Sequence, residues 1–290
     1  MNPLTDILAK SPKNGGTPLI DHLRHVAAVA RRIAPAVGLD ASVACIGAYL
    51  HDIGKAHPEF QRKLRERVLD DRIPFRHEIA SLLFLPLFPH ELWGNLIDMI
   101  VAHHRSLRKD KKEQGLLDLV DIQEPEEVFE RHSESWEEWS PHALTILEAL
   151  GMETKQVCVG EARESFDFLV EYCSKKKLGW SKWKGLLVGA DHFASALINE
   201  TEKHASTLFD VPDLHYFHNR HSELYPLSLI STDDSRPHTI VTAPTGAGKT
   251  DFLMRRCKGR VFYTLPFQAS INAMYKRFLE ECLPKDTDIR

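Results

Sequence analysis

The sequence has few cysteines, and they are scattered. No CxxC pair occurs, so we expect neither a disulfide framework nor a thiolate zinc site. The five cysteines are Cys45, Cys158, Cys173, Cys257 and Cys282. The sequence also lacks an apolar run long enough to cross a bilayer, and its first residues, MNPLTDILAKSPKNGG, do not form a secretory signal. These absences predict a cytoplasmic protein with no membrane partner.

A strong excess of charge of one sign is missing as well. The formal net charge is -4, so the whole chain does not have the basic character of many nucleic-acid-binding proteins. A local basic groove remains compatible with this balance. The unusual component is histidine, with 16 residues, and the positions of these histidines carry more information than their number.

Apolar periodicity divides the chain into a helical part and a shorter α/β part. From Leu19 to about Ile198, apolar residues recur every three and four positions, which predicts a mainly α fold. We expect a metal-binding domain over residues 1–205 and a linker over 206–236. Residues 237–290 then show a strand, loop, helix and strand pattern, the opening of a βαβ unit, followed by an amphipathic helix near Gln268–Leu283.

A polar and charged stretch interrupts the helical part. Residues 109–142 begin with KDKKEQG and continue with EPEEVFERHSESWEEWSPH. Such a composition is typical of a solvated segment. We therefore expect an excursion from the helical domain, either a lid or an insertion.

Five histidines and two aspartates share the apolar stripes of predicted helices. A single histidine on such a stripe is usually a hydrogen-bonded core residue. The other histidines, including His57, His132, His215 and His221, do not share this placement, and we interpret them as ordinary residues. The set on the stripes comprises His22, His51, Asp52, His77, His103, His104 and Asp191. An ionised carboxylate on the apolar stripe of Asp191 needs a cation. Imidazole with carboxylate is a ligand set for divalent metals such as manganese, iron, cobalt or nickel.

The order of these residues resembles the HD nuclease domain of the CRISPR-associated nuclease-helicase family, Cas3. The HD superfamily in general shares the isolated histidine, the HD pair and the distal aspartate. The match to Cas3 is sharper because of further motifs, which are HDIGK, Phe60-Gln61, the RHE at residues 76–78 followed by Ser81, the HH pair at residues 103–104, and ADHFAS around Asp191. The resemblance covers about residues 15–205 and 237–290.

The resemblance implies two divalent metal ions and a nuclease activity. One metal would be held by His22, His51, Asp52 and Asp191, and the second by Asp52, His77, His103 and His104, so that Asp52 bridges them. His51 and Asp52 would be catalytic, and Lys55 would contact a phosphate. A solvated cation at a helix end is the alternative for Lys55. The implied activity is endonucleolytic or exonucleolytic cleavage of single-stranded DNA in antiviral CRISPR interference, with an RNA-guided surveillance complex as partner.

The α/β part contains the phosphate-loop motif APTGAGKT between a predicted strand and a predicted helix. In this motif Gly246, Gly248, Lys249 and Thr250 would contact the phosphates and magnesium of ATP. TLPFQASINAMYKRF resembles the next helicase motif. The segment is interpreted as the incomplete start of a superfamily 2 helicase RecA-like domain. No acidic magnesium-binding motif follows before Arg290, so we expect Mg-ATP turnover in a full-length helicase but not in this chain alone.

Two other functions remain open from the sequence. An HD phosphohydrolase acting on nucleotides or cyclic nucleotides would explain the metal ligands but not the phosphate loop. A binding module in which metals only brace the helices would lack catalysis. Single-stranded DNA and nucleotide substrates, each tested with and without a chelator, distinguish the three.

Overall fold

The computed structural model describes residues 2–66, 74–176, 181–198, 200–209, 225–257, 261–282 and 289. The chain divides into two compact units, Met1–Ser206 and Thr207–Arg290. The regular elements of the described residues are helical, and no strand occurs among them. The expectation of a mainly α protein is therefore confirmed for that part of the chain.

The described part of the first unit contains twelve α-helices. They are α1 (Pro3–Asp6), α2 (Leu19–Ile33), α3 (Ala41–Leu50), α4 (Pro58–Glu66), α5 (His77–Leu82), α6 (His90–Ile100), α7 (Leu116–Ile122), α8 (Pro125–Ser133), α9 (Trp136–Ala149), α10 (Val159–Lys175), α11 (Lys182–Ala196) and α12 (Thr201–Ser206).

Helices α2, α3, α6 and α11 form the core that carries the site. On α2, Leu19, Leu23, Val26 and Ala30 are buried and lie four, three and four positions apart, so they form one stripe of the helix. Helix α2 packs against α3 and α11, and α6 packs against the same two helices. The inward faces of all four helices therefore meet in one place.

The expectation of a solvated excursion over residues 109–142 is wrong for most of its length. The segment contains α7, α8 and the first half of α9. Phe129, Trp136 and Trp139 are buried, and the ring of Phe84 packs against both tryptophans. These aromatic side chains bury enough apolar area to hold the helices on the core despite the many glutamates on their outer faces. Only the charged stretch before α7 remains a loop.

The second unit has two α-helices among its described residues, α13 (Lys249–Arg256) and α14 (Gln268–Arg277). A short 3-10 turn at Pro226–Leu229 precedes them, and a π-type turn at Phe278–Cys282 follows. The last amphipathic helix is thus present, except that its predicted end at Leu283 lies outside the described residues. Residues 210–224 of the predicted linker also lie outside them.

The two strands expected around the phosphate loop are not strands in the described residues. Residues 238–242 and 261–265 form no ladder, and the first residue of the second predicted strand, Arg260, lies outside the described part. Ile240 is 94% exposed and Phe262 is 82% exposed. A strand needs partners for its backbone groups and an apolar face to cover, and the described residues of this unit supply neither. The predicted βαβ opening is therefore not formed here.

Candidate metal centre

The seven candidate ligands come from five places in the first unit. His22 lies in the first turn of α2, and His51 and Asp52 directly follow α3. His77 is the first residue of α5, His103 and His104 follow the end of α6, and Asp191 lies within α11 beside the buried Leu187 and Ala194. The structure brings all seven together. Asp191 lies well inside its helix, whereas the other six lie near helix ends.

Asp52 lies at the centre of this cluster. Its Oδ2 atom is 3.1 Å from His22 Nε2 and 3.3 Å from His51 Nε2. Its Oδ1 atom is 3.0 Å from His77 Nε2 and 3.7 Å from His103 Nε2. Asp191 Oδ1 approaches the first pair, 3.3 Å from His22 Nε2. Each carboxylate oxygen of Asp52 therefore faces its own pair of imidazoles.

Two groups of side chains could each hold a metal ion. One group comprises Asp52, His77, His103 and His104, and the other comprises His22, His51 and Asp191. Within each group one ligand atom from every residue lies within 4.8 Å of the others. Asp52 completes the second group through the oxygen that faces His22 and His51. This arrangement matches the division into two sites that the sequence resemblance implies.

The orientation of the imidazoles fits metal binding. His51 Nδ1–H donates to the Ala48 carbonyl at 2.7 Å, and His103 Nδ1–H donates to the Ile100 carbonyl at 2.7 Å. These bonds place the proton on Nδ1 and direct the Nε2 lone pair inward. Among the described residues, no hydrogen-bond partner exists for the buried Nε2 atoms of His22, His51, His77 and His103, or for Asp52 Oδ1. Buried polar atoms are rarely left unpaired, so this convergence suits divalent cations.

Two other buried histidines show what a structural histidine looks like in the same domain. His57 Nε2–H donates to the Glu134 carbonyl at 3.1 Å, and its Nδ1 accepts from Glu59 N–H at 3.2 Å. His132 Nδ1–H donates to the Val128 carbonyl, and its Nε2 accepts from Arg76 N–H at 3.0 Å. Both ring nitrogens of each residue are used. The sequence did not place these two histidines on an inward face, whereas the structure shows both to be buried core residues. His215 and His221 lie outside the described residues.

The protonation states of the cluster also suit a metal, because bound carboxylates are ionised and bound imidazoles are neutral. Burial alone would raise the pKa of Asp52, but His51, Lys55 and His77 outweigh it and hold that pKa well below its usual value. The pKa of Asp191 is also lowered, by His22 and His51 against the effect of burial.

Burial lowers the pKa of the imidazoles in this cluster, whereas the neighbouring carboxylates raise it. Burial lowers the pKa of His51. Burial also lowers the pKa of His104 to about 3, and the neighbouring His103 and His77 lower it further. The pKa values of His22 and His103 are raised, because the carboxylates that they face outweigh burial.

The burial of Lys55 excludes one of its two sequence-based alternatives. Lys55 is only 9% exposed, so it is not a solvated cation at a helix end. Its Nζ lies 2.5 Å from Asp52 Oδ2. The backbone of Lys55 belongs to a 3-10 turn that spans Ile53–Ala56. Lys55 thus stabilises the ionised form of Asp52, and whether it also contacts a phosphate stays a prediction.

The turn after Asp52 is attached to α5 through a serine and a glycine. Ser81 Oγ donates to the His51 carbonyl at 2.9 Å and accepts from Gly54 N–H at 2.8 Å. A Cβ atom on Gly54 would lie 2.2 Å from the His77 carbonyl oxygen. Only glycine allows this close approach of the two segments. Ser81 and Gly54 therefore set the position of His51 and Asp52 relative to His77.

Other residues of the quoted motifs hold the surroundings of His77. Glu78 is buried against the Arg76 guanidinium, and its Oε2 lies 3.6 Å from His77 Nδ1. The Phe60 ring packs edge-on against the His77 ring. Gln61 bonds to the backbone of Leu8 and to the Lys55 carbonyl. The sequence pattern identified these residues only as family motifs, and their contacts assign them positioning roles.

The buried His132 gives rise to a prediction about pH. Its pKa is lowered to about 3, chiefly by burial. Protonation of Nε2 would also place a second ring proton against the backbone N–H of Arg76, whose hydrogen bond Nε2 accepts. Protons therefore favour the unfolded chain below pH 6.5, and stability falls with decreasing pH. Through this histidine, the free energy of unfolding falls by about 1.4 kcal/mol for each pH unit between about pH 6.5 and 4. We expect His132→Gln to remove this contribution, and urea unfolding at several pH values measures it.

His57 serves as an independent test of the same effect. Its pKa is lowered to about 4, again chiefly by burial, so His57→Gln should flatten the pH dependence in the same direction. An unchanged slope in both variants would show that these two imidazoles are not the neutral, buried groups described here.

The predicted phosphate loop lies in the second unit. Gly246 and Gly248 have φ values of +82° and +86°, a conformation that favours glycine, and α13 begins directly after them at Lys249. Lys249 Nζ donates to the carbonyls of Ala243 and Pro244, both at 2.7 Å. Thr250 is the second residue of the helix. The assignment of this segment as a phosphate loop and its binding of ATP stay predictions.

Comparison with known proteins gives one family assignment. No curated protein and no solved structure matches the chain. Separately, none of the described helices is long and apolar enough to cross a membrane. The family model described as "HD domain" matches residues 19–147, which include every candidate ligand except Asp191. HD domains bind divalent metals and act as metal-dependent phosphohydrolases, nucleases among them. The chain therefore contains an HD domain, and the metal centre described above lies largely within it.

Proposed function

We propose that this chain is a metal-dependent nuclease that cleaves single-stranded DNA, similar to the nuclease part of Cas3 proteins. The observation that supports it best is the position of Asp52, whose two oxygens each face a separate pair of imidazoles. That is the arrangement a bridging carboxylate takes between two cations. One face of the cluster is open at the exposed His104, so a substrate has access.

The ligand set fits two divalent ions, one on each side of Asp52, with manganese, iron, cobalt or nickel as candidates. Ions bound there would polarise the phosphoryl oxygens and lower the pKa of a water ligand to near neutrality. The chain's own residues orient this chemistry. Lys55 keeps Asp52 ionised, and the Ser81 hydroxyl holds the His51 backbone in place. His22, His51, Asp52, His103 and Asp191 are buried, whereas His104 is exposed.

The second unit favours DNA over a free nucleotide as the substrate. A phosphate-loop motif after an HD domain resembles the order of the nuclease and helicase parts in Cas3. The proposed partners are accordingly single-stranded DNA and an RNA-guided CRISPR surveillance complex. Magnesium-bound ATP would act only through the phosphate loop, with Gly246, Gly248, Lys249 and Thr250 as its contacts. An HD phosphohydrolase acting on nucleotides is the alternative that the experiment below tests.

We expect the chain to cleave circular single-stranded DNA in the presence of manganese, and to cleave intact duplex DNA at least about tenfold more slowly. The centre lies among packed helices, and a flexible strand can bring a phosphate to it with less deformation than a duplex. Gel electrophoresis of both substrates, with mononucleotides and cyclic nucleotides assayed in parallel, provides the measurement.

Lys249→Ala is the matched control for this experiment. The substitution lies in the second unit, and every candidate metal ligand lies in the first, so cleavage should not change with the substitution or with added ATP. Equal cleavage of duplex and single strand would contradict the substrate proposal. Turnover of nucleotides without any cleavage of DNA would support the alternative.

A further inference from the structure

A cavity of about 500 Å³ adjoins the open edge of the metal centre. His103 and His104 line it together with the loop that follows them and with Lys184 near the start of α11. The volume lies in the range of ordinary ligand sites. The open edge of the metal centre and this cavity are therefore one continuous space, in which a group bound at the centre would extend toward the loop.

The charge of this cavity is opposite to that of the chain. Five cations line it, Arg105, Lys109, Lys111, Lys112 and Lys184, against one carboxylate, Asp110, although the chain has a net charge of -4. Asp110 pairs with Arg105 at 3.1 Å. The four lysines form no ion pair with any described residue. A concentration of unneutralised cations beside a metal centre attracts polyanions.

The backbone of the loop between α6 and α7 is hydrogen-bonded to the Asp118 carboxylate. Asp118 accepts hydrogen bonds from the backbone N–H groups of Lys109, Asp110 and Gly115, at 2.8, 3.0 and 3.3 Å. Lys109 has a φ of +56°, which is uncommon for a residue with a side chain. Strained backbone that the surroundings hold in place is often associated with a binding site. The loop that carries Lys109, Lys111 and Lys112 is thus stabilised by hydrogen bonds of its own backbone to Asp118.

The loop is also connected to the metal centre. The Arg76 guanidinium donates to the Gln114 carbonyl, and Arg76 directly precedes His77. A Cβ atom on Gly115 would lie 2.4 Å from the Ser106 carbonyl oxygen, so the two ends of the loop pack closely. The position of the lysines relative to the ligands is therefore set by direct contacts.

We propose that Lys109, Lys111, Lys112 and Lys184 bind the phosphodiester backbone of a single-stranded polynucleotide next to the phosphate that is cleaved. This inference rests on the proposed nuclease function and adds the residues that select a polymer over a small diester. The lysines contact only phosphates, so they would confer affinity without base specificity. They act as positioning residues and take no part in the chemistry at the metals.

The test compares the wild type with the variant K109Q/K111Q/K112Q/K184Q on two substrates. A labelled phosphorothioate oligothymidylate reports binding by fluorescence anisotropy, and bis(p-nitrophenyl) phosphate, too small to reach the loop, reports the metal centre. We expect the variant to bind the oligonucleotide at least about tenfold more weakly. The slope of log K against log salt should fall by about 0.7 for each lost phosphate contact. The rate on the small diester should not change.

A control variant, K13Q/K155Q/K175Q/K203Q, removes the same charge from four exposed lysines elsewhere. It should bind the oligonucleotide with the wild-type salt slope. Equal weakening in both quadruple variants, or wild-type binding by the loop variant, would overturn the inference and leave the nuclease proposal intact. If neither substrate is hydrolysed but only the loop variant loses binding, the nuclease proposal fails and the binding surface stands. K184Q alone, which changes a residue of α11 and not of the loop, should give a partial loss of oligonucleotide binding. Thermal melts of each variant check its folding.

Discussion

Replacement of Asp52 by Asn is expected to lower phosphodiesterase activity by about three orders of magnitude or more and to reduce the content of both metals. The carboxylate is the only group whose two oxygens face both sets of imidazoles among the described residues. An amide is a weaker and uncharged ligand, and Lys55 would lose its ionic partner. Hydrolysis of bis(p-nitrophenyl) phosphate and elemental analysis of the purified variant measure the two effects.

Asp191→Asn and His57→Gln are the matched controls. Asp191 approaches only the pair of His22 and His51, so its variant should lose one metal and keep the other. His57 is buried but uses both ring nitrogens in hydrogen bonds, and its variant should keep both metals and its activity at neutral pH. Near-wild-type cleavage and metal content in a folded Asp52→Asn protein would refute the bridging position. Circular dichroism distinguishes loss of ligand from loss of fold.

Removal of divalent metal by a chelator is expected to abolish cleavage and to lower the melting temperature. When the free metal concentration is about 100 times the Kd of a site, metal binding at that site stabilises the folded chain by about 2.7 kcal/mol. For a domain of this size that corresponds to a shift of about 5–10 °C per site. The reason lies in the cluster, where four buried Nε2 atoms and one carboxylate oxygen have no hydrogen-bond partner among the described residues. Calorimetry before and after dialysis against EDTA measures the shift.

Readdition of manganese, cobalt or nickel to the dialysed protein should restore both the melting temperature and the activity. Asp52→Asn supplies the control, because its melting temperature should respond little to the chelator. A wild-type protein whose cleavage and melting temperature are both indifferent to EDTA would show that the cluster is a hydrogen-bonded core. If stability responds but no cleavage occurs with any metal, the metals brace the helices without catalysis.

Part of this architecture could be predicted from residue spacing. On α2, α6 and α11 the apolar residues recur at helical intervals, and the positions of His22, His103 and Asp191 in or just after these stripes placed them toward the core. This works because helix formation is driven by burial of one face, which leaves a periodic trace in the sequence. The ligand chemistry also followed from residue type, since imidazoles and carboxylates on apolar faces need partners.

Other parts were not predictable in this way. Residues 109–142 were expected to be solvated because of their many charges, yet Trp136 and Trp139 hold α9 on the core. Strands were expected at residues 238–242 and 261–265, where the described residues form none, since a strand depends on neighbours that local sequence does not specify. The lysines of KDKKE, which begins five residues after His104, were the available signal for the basic cavity, and they were interpreted only as a sign of solvation.

The sequence by itself predicted which residue types could bind a metal, which helices present them, and that a phosphate-loop motif follows the helical part. Tertiary structure decided that the two oxygens of Asp52 face different imidazole pairs, that Lys55 pairs with Asp52, and that His57 and His132 are structural. The physical reason is distance. Asp52, His77, His103 and Asp191 are far apart in the chain, so their separations of a few ångströms depend on how α3, α5, α6 and α11 pack, and helical periodicity within one segment contains no information about that packing.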